Sequence, residues 1–208
     1  MYEQVLCPLY RSKIDLKNFF YFENSLGPSE SNELKNKSFL LYSPTHSLEN
    51  IFFSSHLQKD LIKEVNWDKC ATVEECRNLS KNKYDLFIID EDSLNLSLMG
   101  EYNIKDFCKG IIKHPLEIIY EKISYLIKEA QSQDLILITA DLDFWVSTWL
   151  ENPNLNKVKY MFEKPIDFEL FKHITINYKS DVNSPLYLVC EEYRLEDIIS
   201  NLKKRKKL

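Results

Sequence analysis

From Ser38 onward the chain alternates between short continuous apolar runs and longer stretches whose apolar residues recur every three or four positions. The runs are SFLLY at 38–42, YDLFIID at 84–90, DLILITA at 134–140 and KYMFEKP at 159–165, with a weaker one around DKCAT at 68–72. Apolar runs of this length, bounded by polar residues, predict strands buried on both faces. Between them the spacing predicts helices over 47–65 behind an N-cap Ser47, and over 73–82, 115–130, 142–152 and 167–174. The segment from Pro115 is the clearest: Leu116, Ile119, Tyr120, Ile123, Leu126, Ile127 and Ala130 fall on one helical face, and proline suits a first turn. A further short strand and helix are predicted within 184–208.

Strands alternating with helices predict an α/β architecture, a parallel sheet covered on both faces. The functional crevice of such a sheet lies beyond the carboxyl ends of its strands. The residues to watch are therefore Ser43 and Pro44, Asp90, Thr139 and Ala140, and Lys164 and Pro165. Ahead of this pattern, residues 1–37 read as an extension. They carry an aromatic cluster, NFFYFEN at 18–24, and a turn-rich polar stretch, GPSESNELKNK at 27–37, that suits a linker. The expected organisation is an extension over 1–37, a main domain over 38–176 and a C-terminal strand and helix over 177–208.

Composition narrows the function classes. A chain of 208 residues with 44% hydrophobic and 28% charged residues has the makeup of a soluble protein with one core. Its net charge of −5 gives no general basic surface for nucleic acid. The exception is NLKKRKKL at 201–208, which reads as a solvated helix end suited to the helix dipole. A nucleic-acid-associated regulator using this tail is the third functional option, with weak and salt-sensitive attraction. No apolar run approaches the ~18 residues needed to span a bilayer, so no membrane partner is expected. No secretory signal is expected at the start either. The five cysteines are odd in number and lack any C-x-x-C, which points to a reducing cytosol rather than a disulfide or zinc framework. With only Gly27, Gly100 and Gly110, the chain has neither common phosphate-cradling loop, and no cofactor is expected.

Taken together, the strand ends resemble the receiver domain of two-component response regulators, over residues 38–176. YDLFIID is similar to the strand bearing the phosphoacceptor aspartate, which falls on Asp90. LILITAD is similar to the fourth strand, placing its hydroxyl and small residue at Thr139 and Ala140, and FEKPID places the Lys-Pro pair at Lys164 and Pro165. The resemblance implies a three-layer, doubly wound, flavodoxin-like domain with a five-stranded parallel sheet in the order 2-1-3-4-5. It also implies a working surface on the fourth and fifth strands and helices, around Trp145, Trp149, Tyr160, Met161 and Phe162, although the i, i+4 spacing of the two tryptophans suits the core equally well.

The departures shape the expected activity. Where the family ends its first strand in an acidic pair that holds Mg²⁺, this chain has Ser43 and Pro44. Mg²⁺ takes hard oxygen ligands, and proline offers none from its side chain. Without the metal, each unit-charge repulsion between an incoming phosphoryl group and Asp90 costs on the order of 4 kcal/mol at 4 Å and an effective dielectric of about 20. Met161 stands where the family's switch aromatic is expected, Leu94 replaces a loop proline, and residues 93–114 enlarge the third crossover. Asp92 adds a charge beside Asp90 with no assigned role. The expectation is a pseudo-receiver: no catalytic residue, no metal, a cytoplasmic regulatory module acting through a protein partner, with a second copy of the chain among the candidates.

A competing reading collects Asp90 and Asp92 with Asp141 and Asp143, two D-x-D pairs at adjacent strand ends. Converging carboxylates of this kind can hold Mg²⁺ or Mn²⁺ for phosphodiester hydrolysis, and LILITADLDF is similar to the closing strand of PIN-type nucleases. D-x-D is a weak motif, however, and strand-end acids often cap the following helix instead.

Overall fold

The structure is a computed structural model and describes residues 4–10, 13–14, 20–21, 37–43, 65–91, 108–110, 115–131, 134–176 and 185–205. In chain order the elements are β1 (Gln4–Tyr10), β2 (Lys13–Ile14), β3 (Phe20–Tyr21), β4 (Ser38–Tyr42), β5 (Asn66–Cys70), α1 (Val73–Leu79), β6 (Leu86–Asp90) and α2 (Pro115–Glu129). There follow β7 (Leu135–Thr139), α3 (Leu142–Glu151), a 3-10 turn (Pro153–Lys157), β8 (Val158–Glu163), α4 (Phe168–Ile176), β9 (Leu186–Glu191) and α5 (Glu192–Arg205). The predicted helix over 47–65 and the linker over 27–37, each but for its last residue, and most of the 93–114 insertion lie outside the described residues, as do Pro44 and Asp92.

All the strands belong to one sheet, in the order β2-β1-β9-β8-β7-β6-β4-β5, with β3 pairing with β1. From β5 to β9 every neighbour is parallel, whereas β1 runs antiparallel to β9, from Gln4 opposite Glu191 to Leu9 opposite Leu186. The expected count of five strands and the complete order are thus corrected. Residues 4–10, inside the stretch expected to be an extension, are a strand of the sheet. The reason is burial: Val5, Cys7 and Leu9 alternate onto one face and are at most 1% exposed, so leaving β1 undocked would open that core.

Two clusters of buried side chains lie against the sheet. One joins Leu40, Tyr42, Phe87, Ile89, Leu135, Leu137 and Cys190 to α1, α2, α3 and α5, through residues such as Cys76, Ile123, Trp145 and Ile198. The other joins Phe39, Leu41, Ile88, Ile136, Ile138 and Val189 to α4, through Leu170, Phe171 and Ile174. Because β-strand side chains alternate, each central strand feeds both clusters, which explains why β6 and β7 are completely buried and apolar up to their last residues, Asp90 and Thr139. In β8 the register shifts between Leu135 and Ile136, so Val158 pairs with the first and Tyr160 with the second. This extra residue lets Val158 and Met161, three apart, reach the same face.

Local signals set the element ends. Helix α1 carries a reciprocal capping box: Thr72 Oγ1 accepts from the Glu75 amide at 3.1 Å, and Glu75 accepts from the Thr72 amide at 3.2 Å. Strand β5 is polar and mostly exposed because it is the edge; Asp68 and Lys69 face solvent there, while Cys70 points into the core. Cys7, Cys70, Cys76 and Cys190 are buried free thiols and Cys108 is exposed. No helix among the described residues is long and apolar enough to cross a membrane.

Candidate functional site

At the carboxyl end of β6, Asp90 is fully buried, and its two oxygens face different partners. Lys164, just past β8, reaches Oδ1 with its Nζ at 2.7 Å. Ser43, just past β4, donates its hydroxyl to Oδ2 at 3.3 Å. Three of the residues expected at the strand ends therefore converge. They do so because β4, β6 and β8 run parallel and end at one edge of the sheet. The ion pair is asymmetric in burial: the Lys164 side chain is 25% exposed and that of Asp90 is 0% exposed.

Thr139 stands at the end of β7, between β6 and β8, and is buried. Its Oγ1 donates to Glu91 Oε2 at 2.7 Å and accepts from the Asp141 amide at 2.9 Å. Its carbonyl accepts the Lys164 amide at 2.9 Å. The hydroxyl that the receiver resemblance assigns to a phosphoryl oxygen is thus engaged by Glu91, a buried carboxylate that the sequence reading passed over in favour of Asp92. Ala140 and Pro165 are exposed at the rim.

The loop carrying Lys164 is fastened from an unexpected side. The Lys164–Pro165 peptide is cis. Gln4 of β1, 7% exposed, donates Nε2 to the Pro165 carbonyl at 2.6 Å and accepts the Asp167 amide on Oε1 at 3.2 Å. Asp167 in turn receives the Leu170 amide at 3.0 Å, capping α4.

The acids of the metal-site reading are differently employed. Asp141 is the N-cap of α3 and accepts the Phe144 amide at 3.1 Å. Asp143 accepts Nη2 of Arg194 at 2.9 Å and Nδ2 of Asn201 at 3.3 Å. Arg194 also binds Glu163 Oε1 through Nε at 3.0 Å and Nη2 at 2.9 Å, and these bonds raise its already high pKa. Asp90, Asp141 and Asp143 do not converge, and among the described residues no three His, Cys, Asp or Glu side chains gather as metal ligands. Nor do the described donors fit the Mg²⁺ of the receiver family. A hydroxyl replaces an acid at the end of β4, and an ammonium already sits on the carboxylate that would bind the cation.

The residues expected to form the working surface are largely interior. Trp145, Trp149, Met161 and Phe162 are between 0% and 5% exposed, and Tyr160 is half-buried, stacked on Tyr187 at 5.1 Å. The tryptophans recur at i, i+4 on the core face of α3, where that spacing builds packing rather than a docking patch. Burial pushes the Tyr160 phenol up to about 12, with Tyr187 and Asp134 adding to it.

Comparison of the chain with protein-family models, curated proteins and solved structures finds no significant match.

Proposed function

We propose that this chain is a receiver-like regulatory module that acts through protein contacts, with Asp90 kept as a structural acid rather than used as a phosphoacceptor. The observation that carries this reading is the double engagement of Asp90, by Lys164 at 2.7 Å and Ser43 at 3.3 Å. A phosphoryl group entering there must displace an ammonium from a buried carboxylate without a divalent ion to offset its own charge. The hydrogen bond from Thr139 to Glu91 supports the same reading, since it occupies the other hydroxyl at the edge. The flavodoxin-like assignment is supported by the run β5-β4-β6-β7-β8, which reads 2-1-3-4-5 when β4 is counted first.

With the tryptophans inside, Tyr193 is the better contact residue: at 57% it is the most exposed large hydrophobic among the described residues, at the start of α5. The partner in this reading is a protein met in the cytoplasm, whether another chain or a second copy of this one.

The test is a titration with Mg²⁺ and BeF₃⁻ followed by amide NMR. No saturable, Asp90-dependent shift is expected. Saturable binding that disappears in Asp90→Asn would overturn the proposal and restore a working receiver. Mn²⁺-dependent cleavage of an oligonucleotide, lost in both Asp90→Asn and Asp141→Asn, would replace it with the hydrolase reading.

A further inference from the structure

We infer that Gln4 is a positioning residue of the Asp90 site, through which the N-terminal strand β1 sets the placement of Lys164. The inference rests on the site described above and extends the proposed regulatory reading by naming the element that governs it.

A primary amide is the side chain that meets both demands of this turn. The Pro165 carbonyl needs a donor and the Asp167 amide needs an acceptor, two residues apart. These partners also fix which end of the Gln4 amide is oxygen. Lys164 is held on its other side by its own backbone amide on the Thr139 carbonyl, at 2.9 Å. The turn from Lys164 to Asp167 is thus pinned at one end by β7 and at the other by β1, and the Lys164 ammonium reaches Asp90 from between these pins. Gln4 itself is located by pairing with Glu191 at the end of β9. Docking of β1 and geometry at Asp90 are therefore linked through one buried side chain, with no contact needed between β1 and Asp90.

The test uses the full chain and competitive acetylation of lysines, read by mass spectrometry, with exposed Lys203 as internal reference. Gln4→Leu keeps the volume and removes both bonds. Labelling of Lys164 relative to Lys203 should rise about fivefold, the factor that corresponds to a lost hydrogen bond worth about 1 kcal/mol. Gln4→Glu keeps the acceptor but cannot donate, and places a carboxylate against the Pro165 carbonyl, so it should also raise labelling. If Gln4→Leu does not fold, Gln4→Glu carries the test alone. A folded variant of either kind whose Lys164 labelling stays within about twofold of the parent overturns the assignment. Asp90→Asn is the positive control, since it frees Lys164 directly. Phosphoryl-analogue binding at Asp90 would defeat the pseudo-receiver reading while leaving the labelling result intact, so the two failures are distinguishable.

Discussion

Two charged centres stand at the same edge of the sheet and behave as opposites. At the first, a single lysine meets a carboxylate that is 0% exposed. At the second, Arg194 bridges Asp143 and Glu163 with all three side chains partly open to water, at 29%, 27% and 10%. The first joins strand ends, β6 to β8. The second joins layers, tying α5 to the first turn of α3 and to the end of β8. The chemistry of the cations matches the tasks. A guanidinium fork can serve two carboxylates at fixed angles, whereas an ammonium acts as a point charge beside one buried acid. Charge alone would not separate a site from a fastening; the complete burial of Asp90 does, against the 10% of the Glu163 side chain that stays exposed.

Five variants would break or sharpen this contrast. Lys164→Ala should have the largest effect, about 3 kcal/mol of lost stability in urea unfolding, because it leaves Asp90 buried without its cation. The double variant Asp90→Asn, Lys164→Met should recover much of that loss; a double-variant loss equal to the sum of the two single losses would show that the pair is not coupled. Arg194→Ala should cost about 1 kcal/mol, and the loss should shrink in 1 M NaCl, as for other partly exposed ion pairs. Arg194→Lys should fail to restore it, because lysine lacks the fork. Ser43→Ala should cost only about 0.5 kcal/mol, in line with a long hydrogen bond to a carboxylate whose other oxygen is held by Lys164.

The smallest effect is expected away from both centres, on α4. Burial lowers the pKa of His173 below its ordinary 6.5. A group depressed in the folded state binds its proton more readily when unfolded, so its contribution is present above the ordinary value and is lost as the pH falls through and below it. The urea midpoint of the parent should therefore fall slightly more between pH 7 and pH 5 than that of His173→Leu. Parallel curves for the two proteins would remove this contribution.

The central strands and most helices were legible because they are local. Continuous apolar runs fixed β4, β6, β7 and β8, and the spacing over 73–82 anticipated α1. The convergence of Ser43, Asp90 and Lys164 was legible too, since parallel strands bring their ends together. What escaped had long-range causes. Pro8 and the polar Gln4 interrupt the apolar pattern in β1, and its longest pairing is with β9, distant in sequence. Gln4 has no signature in its own neighbourhood; its partners are at Pro165 and Asp167. Trp145 and Trp149 stayed open between surface and core because the same i, i+4 spacing suits a buried or an exposed stripe, and the fold alone decides which. Asp143 looked like half of a D-x-D ligand pair until Arg194, on the last helix, claimed it.

The pairing of β1 with β9 also bears on how the chain reaches this structure. Val5 lies opposite Cys190, so this pairing waits until a strand far along the chain is in place. Contacts of such long sequence separation are slow to form, because loop closure must precede any gain from them. During that wait Val5, Cys7 and Leu9 are exposed, and a segment of this kind is prone to intermolecular pairing. Pro8, within the strand, works against such pairing, since a residue with no amide hydrogen makes a poor template for another chain.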